Sequence, residues 1–165
     1  MSRKKGTVLI IDDEEEIRES IELLLNAEGF GTETAGSGEE GIRKIEENHY
    51  DLVLLDLMLP GKSGMEVQKA IRTIDPTLPI VIITAIGALE TAITAIKEGS
   101  YDYVTKPWNN EKLLVIATNA IRQRQLISEN AQLRRALKER FGYSSIVGKS
   151  EKMLRVLDLV TQVAA

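Results

Sequence analysis

Val8-Leu9-Ile10-Ile11-Asp12-Asp13 and Leu52-Val53-Leu54-Leu55-Asp56 decide the fold. Each is an unbroken apolar run with the length of a strand buried on both faces, and each breaks abruptly into carboxylates. Strands of that kind belong to parallel sheets covered by helices on both sides. Ligands and chemistry gather at the carboxyl ends of such strands. Asp12, Asp13 and Asp56 brought together there repel one another unless a cation or protons neutralise them. The pattern predicts a divalent metal site beside an exposed aspartate.

Along the rest of the chain, apolar runs alternate with amphipathic segments. Strands are expected at 7–11, 31–35, 52–55, 80–84 and 101–105. Ile17, Ile21, Leu24 and Leu25 fit one helix face, ended by Gly29. Ser37 with Glu40 forms a capping box that opens a helix carrying Ile42 and Ile45. Met65, Val67 and Ile71 mark a third helix before Pro76, and Ala88, Ala92, Ile93 and Ile96 a fourth, ended by Gly99. The fifth begins near Asn109, with Asn109 or Asn110 as its cap after Pro107. Five βα units with right-handed crossovers give an α/β fold, a doubly wound five-stranded parallel sheet. A flavodoxin-like order 2-1-3-4-5 puts the first and third strands side by side, so Asp12, Asp13 and Asp56 converge.

With 165 residues, 43% hydrophobic and 28% charged, the chain holds one full domain and little more. The lack of cysteine excludes a disulfide scaffold and thiolate metal sites and fits a reducing cytosol. No apolar stretch approaches the roughly 20 residues that span a bilayer. A cytoplasmic protein with no membrane partner is expected. Residues 1–110 carry 11 Lys/Arg against 20 Asp/Glu, a balance of −9. Residues 111–165 carry 10 against 5, a balance of +5. The acidic part argues against nucleic-acid binding, and the basic residues are spaced as a solvated helix face. No direct contact with nucleic acid is expected.

The fifth helical pattern overruns the domain, because neither Pro nor Gly occurs from Asn110 to Arg140. Leu126, Asn130, Leu133 and Leu137 follow the 4-3-4 spacing of a coiled-coil seam. A single amphipathic helix lying on the domain is the alternative. Asn at a seam position fixes register and strand number, which favours a dimerising linker helix. Phe141-Gly142 ends it, and Met153, Val156, Leu157 and Val160 begin another amphipathic segment that stops at Ala165, as a fragment would.

Thr84 closes the fourth strand pattern, and Lys106-Pro107 closes the fifth. Acids, a hydroxyl and an ammonium on one sheet edge suit Mg²⁺ and a phosphoryl group. These residues, in this order, resemble the receiver domain of two-component response regulators over about residues 6–125. The resemblance implies that Asp56 is the phosphoacceptor for a sensor histidine kinase. It implies that Asp12, Asp13, Asp56 and the backbone carbonyl of Met58 hold Mg²⁺. Thr84 matches the switch hydroxyl, Tyr103 the switch aromatic, and Lys106 the family's lysine, with a cis bond to Pro107. A receiver is a regulatory domain rather than an enzyme, limited to self-catalysed phosphoryl transfer and slow dephosphorylation.

Gly148-Lys149-Ser150 imitates the end of a phosphate-binding loop, but the required upstream glycine is Tyr143. Ile146-Val147-Gly148-Lys149-Ser150 with Met153, Val156 and Val163-Ala164 is similar instead to the opening of the AAA+ ATPase module of sigma-54-dependent, NtrC-type activators. The expected organisation is a receiver at 1–125, a helical coiled-coil linker at 126–142 and the start of an AAA+ domain at 143–165. The full-length partners implied are a second copy, an AAA+ ring acting on sigma-54 RNA polymerase and a DNA-binding domain. Three other readings compete. A haloacid dehalogenase-like phosphatase wants two aspartates two apart after one strand, whereas Asp12-Asp13 are adjacent and Asp56 precedes Leu57-Met58. A nucleotide-binding domain wants glycines where Ile11-Asp12-Asp13-Glu14 stand. A phosphorylation-independent partner-binding module would be indifferent to Asp56→Asn.

Overall fold

The computed structural model describes residues 5–85 and 89–141. The chain divides into two compact units, Met1–Leu126 and Ile127–Ala165. In the first, β1 (Thr7–Ile11), β2 (Gly31–Ala35), β3 (Leu52–Asp56), β4 (Ile80–Ala85) and β5 (Asp102–Lys106) alternate with α1 (Glu15–Ala27), α2 (Gly38–Glu47), α3 (Gly64–Ile74) and α4 (Leu89–Lys97). The helix α5 (Asn110–Phe141) closes the order. All strand pairs are parallel, in the order β2-β1-β3-β4-β5. This is the doubly wound sheet expected from the alternation.

Both faces of the sheet are buried, which is why its central strands read as continuous apolar runs. Leu9, Ile11, Val53, Leu55 and Ile82 pack with Val67 and Ile71 of α3 and with Ala92 and Ala95 of α4. On the opposite face Val8, Ile10, Leu54, Ile83 and Val104 pack with Ile21 and Leu25 of α1 and Leu113, Ile116 and Ala120 of α5. β2 lies at one edge, and only Gly31 and Ala35 at its ends are buried, so it carries the weakest sequence signal.

The strand ends differ from expectation in a way that matters for the site. β3 includes Asp56, β4 runs to Ala85, and β5 spans 102–106 rather than 101–105. Asp56 pairs with Ile83, and Ala85 with Lys106. The ladder therefore runs one residue past the apolar pattern and holds Asp56 and Lys106 as strand residues.

Local capping was only partly anticipated. The Ser37 hydroxyl accepts from the Glu40 N–H at 3.2 Å, but the Glu40 carboxylate accepts from the N–H of Gly36, so the box does not close. A closed box stands at Ser63–Glu66, where each residue's backbone N–H is bonded by the other's side chain. Asn109, rather than Asn110, caps α5, its Oδ1 accepting from the Lys112 N–H at 3.0 Å. In α4, Ile93 is 44% exposed and Ala95 takes the inward position.

Along α5, Leu113 to Ile121 supply the buried face, and Arg124 pairs with Asp75 at 2.7 Å. Leu126, Ile127, Leu133 and Leu137 are exposed. Ala88 and the expected AAA+ opening at 143–165 lie outside the described residues. No described helix is long and apolar enough to cross a membrane.

Candidate functional site

Because every strand pair is parallel, the carboxyl ends of β1, β3 and β5 share one edge of the sheet, with β1 and β3 adjacent and β5 beyond β4. Ligand oxygens of Asp12, Asp13 and Asp56 lie within 4.8 Å of one another, with Asp12 and Asp56 buried and Asp13 exposed. Lys106 Nζ reaches into the cluster, 2.6 Å from Asp56 Oδ2, 2.8 Å from Asp12 Oδ2 and 3.1 Å from Glu14 Oε1. The Lys106–Pro107 peptide is cis.

Local structure orients Asp56 and Asp12. Asp56 Oδ1 accepts from the N–H of Met58 at 2.9 Å, and Asp12 Oδ1 accepts from the N–H of Glu14 at 2.9 Å. Arg18 of α1 donates to the Asp12 carbonyl at 2.7 Å, fixing the backbone at the turn from β1 into α1. Gly64 opens α3 against the end of β3; a Cβ there would collide with the Asp56 carbonyl oxygen and the Leu57 Cα. The absence of a side chain at Gly64 thus lets α3 brace the strand end that carries Asp56.

Electrostatics follow from this packing. Burial pushes the Asp12 carboxyl above its ordinary value; Lys106 and the Glu14 N–H only partly offset it, and Asp56 adds repulsion. Burial opposes the charge on Lys106, but the close carboxylates of Asp12, Asp56 and Glu14 outweigh it and hold the ammonium above its ordinary value. Lysine charge and aspartate burial thus pull in opposite directions within one pair, and the geometry supports a charged Lys106.

Among the described residues, the buried Asp12 Oδ2 has an ion-pair contact with Lys106 at 2.8 Å but no hydrogen-bond partner. A buried carboxylate oxygen with no hydrogen bond, beside two more carboxylates, is a hard, all-oxygen donor set of the kind Mg²⁺ takes. The residues fit such an ion.

Of the other expected residues, Thr84 lies near the same edge but outside the cluster, and Tyr103 lies toward the start of β5, three residues before Lys106. Thr84 is buried, and its hydroxyl donates a long 3.4 Å bond to the Ala85 carbonyl. Tyr103, half-buried on β5, packs against the α2–α4 side of the core, with Lys112 Nζ 5.9 Å from its ring centroid. Among the described residues neither side chain hydrogen-bonds a carboxylate of the cluster. Met58 follows β3 with its side chain 67% exposed. Glu14 was not anticipated; in sequence it reads as one more charge in a run of acids. A pocket of about 510 Å³ lies beside Lys106, lined by Glu14, Ile17, Pro107 and Trp108.

Residues 8–118 match the response regulator receiver domain. An NtrX-like response regulator of Rickettsia bellii is 35% identical over 150 residues, 90% of this chain and 31% of that relative. The transcriptional regulatory protein YkoG of Bacillus subtilis is 41% identical over 120 residues, 73% of this chain and 53% of the relative. The crystal structure of NtrX from Brucella abortus matches with a TM-score of 0.75 at 32% identity, over 96% of this chain and 34% of that one. A receiver domain protein from Clostridium thermocellum matches with a TM-score of 0.71 at 37% identity, over 74% of this chain and 98% of that one. The chain spans only about a third to a half of the curated relatives' length. A match over residues 8–118, on a sheet of this order, establishes that the chain belongs to the response regulator receiver domain family.

Proposed function

We propose that Asp56 accepts a phosphoryl group from a sensor histidine kinase, and that this controls a sigma-54-dependent transcription activator of which this chain is a part. The observation that carries the reading is the 2.6 Å contact of Lys106 Nζ with Asp56 Oδ2 inside an acidic cluster fit for a hard divalent ion. A carboxylate oxygen of Asp56 forms a bond to phosphorus while the donor's phosphorus–nitrogen bond breaks. The imidazole keeps that electron pair, and an acyl phosphate remains on Asp56.

Asp12, Asp13, Asp56 and the Met58 carbonyl would hold Mg²⁺, which supplies charge neutralisation on the phosphoryl oxygens. Lys106 donates to another phosphoryl oxygen as a point charge. The Thr84 hydroxyl, whose one bond among the described residues is the 3.4 Å contact with Ala85, turns to a third. Movement of the β4 end vacates space for Tyr103 and alters the surface of α4, β5 and α5.

Residues 1–125 form the receiver, 126–142 a helical linker and 143–165 the start of an AAA+ domain in this reading. Leu126, Leu133 and Leu137 are 58%, 65% and 57% exposed, which supports their use as a seam with Asn130 in a second copy. Phosphorylation then changes how two receivers pair, and the linker carries that change to an ATPase ring.

Beryllofluoride, a stable mimic of the phosphoryl group, tests the site. With Mg²⁺ it should bind and shift the amide resonances of Thr84 and Tyr103, and Asp56→Asn should abolish both effects. Binding that is independent of Mg²⁺ or survives Asp56→Asn contradicts the assignment.

A further inference from the structure

We propose that Glu14 is a positioning residue that occupies Lys106 until the phosphoryl group arrives and thereby sets the rate at which Asp56 is loaded. The inference rests on the phosphoacceptor reading above and concerns the control of that same site.

An ammonium has three N–H donors. At Lys106 three carboxylate oxygens surround them, from Asp56 at 2.6 Å, Asp12 at 2.8 Å and Glu14 at 3.1 Å. A phosphoryl oxygen that binds Lys106 meets an ammonium already hydrogen-bonded to Asp56 and Glu14 and in ion-pair contact with Asp12, so it competes with these partners. The Asp12 and Asp56 side chains are 0% and 5% exposed, so water cannot replace the ammonium for them. Glu14 has the longest contact and a side chain 61% exposed, and it is not one of the three acids grouped for a cation. It is the partner that leaves at least cost.

A second observation points the same way. Glu14 sits at the N-cap of α1, where Ser, Thr, Asp or Asn normally satisfies the first backbone N–H groups. Its side chain makes no capping bond. The carboxylate is directed across the sheet edge to Lys106 instead, a pair 92 residues apart in sequence. Its backbone N–H already holds Asp12 Oδ1, so a side-chain substitution leaves that support in place.

The test is the rate of loading by acetyl phosphate with saturating Mg²⁺, followed by intact mass. In that reaction an Asp56 oxygen bonds to phosphorus, the donor's phosphorus–oxygen bond breaks, and acetate leaves with the electron pair. Glu14→Gln is expected to load about two- to fivefold faster, the range that an exposed ion pair supplies. Glu14→Asp keeps the charge but is one methylene shorter, and it too should load faster. In a Lys106→Met background, Glu14→Gln should change nothing, as a double-mutant cycle requires of a residue that acts through Lys106. Mg²⁺ affinity measured by calorimetry should be equal in wild type and Glu14→Gln.

Wild-type rates for Glu14→Gln overturn the proposal. So does acceleration by Glu14→Gln but not Glu14→Asp, or acceleration that persists with Lys106→Met, because either shows that the negative charge acts without the tether. A Mg²⁺ affinity shifted by the same factor as the rate assigns Glu14 to the ion instead and overturns it equally. If wild type gains no Mg²⁺-dependent phosphoryl group, the phosphoacceptor reading falls and takes this one with it. If wild type loads normally and only the Glu14 effects are missing, this inference falls alone.

Discussion

Breaking the pair between Arg124 and Asp75 should loosen α5 at the last turn before its exposed stretch. Arg124 NH2 lies 2.7 Å from Asp75 Oδ2, with side chains 16% and 27% exposed. Asp75 also accepts from the N–H and hydroxyl of Thr77, whereas Arg124 NH1 has no partner among the described residues. The two single variants should therefore differ. Arg124→Ala leaves Asp75 its Thr77 bonds and should cost about 1 kcal/mol, while Asp75→Ala strands a half-buried guanidinium and should cost about 2–3 kcal/mol. The double variant should cost no more than Asp75→Ala, a coupling of about 1 kcal/mol.

Burial pushes the Asp75 carboxyl up, but the bonds from Arg124 and Thr77 outweigh it and hold it below its ordinary 3.8. A depressed carboxyl stabilises the fold above the unfolded-state value, and that stability is lost as pH falls through the folded-state value. Asp75→Ala should thus flatten the acid limb of stability below about pH 4. The assay is urea unfolding of all four proteins at pH 7 and at stepped acid pH, with coupling read as shifts in midpoint. Additive costs, or an acid limb unchanged in Asp75→Ala, would show that Arg124 and Asp75 are not coupled in the folded protein.

Two further outcomes follow from the packing. Gly64→Ala forces a Cβ onto the backbone of Asp56 and Leu57, and should cost about 1–3 kcal/mol and slow acetyl phosphate loading; wild-type stability and loading together would remove α3 as the brace of the site. Leu133→Asp, at a position of the proposed seam 65% exposed, should leave receiver stability unchanged but abolish self-association in sedimentation velocity, and an unchanged sedimentation profile would contradict the proposed linker.

The parts of the fold legible in sequence are those where one force dominates. Val8 to Ile11 and Leu52 to Leu55 are buried on both faces, so burial alone writes an apolar run. The carboxylates that follow announce the sheet edge because nothing in a core tolerates them unpaired. Edge strand β2 was harder, since its middle residues face partly to solvent. Ile93 misled because α4 turns small residues, Ala92 and Ala95, toward the core, where a hydrophobic pattern weights the larger side chain. The Ser63–Glu66 box has the required spacing, but it stands beside the glycines Gly61 and Gly64, which read more readily as loop.

Within the site, Asp12, Asp13, Asp56 and Lys106 come from strand ends, and topology alone brings them together. The contact of Glu14 with Lys106 is different, because it depends on a side-chain direction that no periodicity encodes. Likewise, the hydrogen bond from Arg18 to the Asp12 carbonyl joins a helix face to a turn, which spacing cannot reveal.

The most direct measurement is the site of phosphoryl attachment, found by intact-mass and peptide-mapping spectrometry after exposure to acetyl phosphate, with and without Mg²⁺. Asp56 as phosphoacceptor requires one added phosphoryl group on wild type, present only with Mg²⁺, mapping to Asp56 and absent from Asp56→Asn. No Mg²⁺-dependent gain on wild type, or an equal gain on Asp56→Asn, would contradict it.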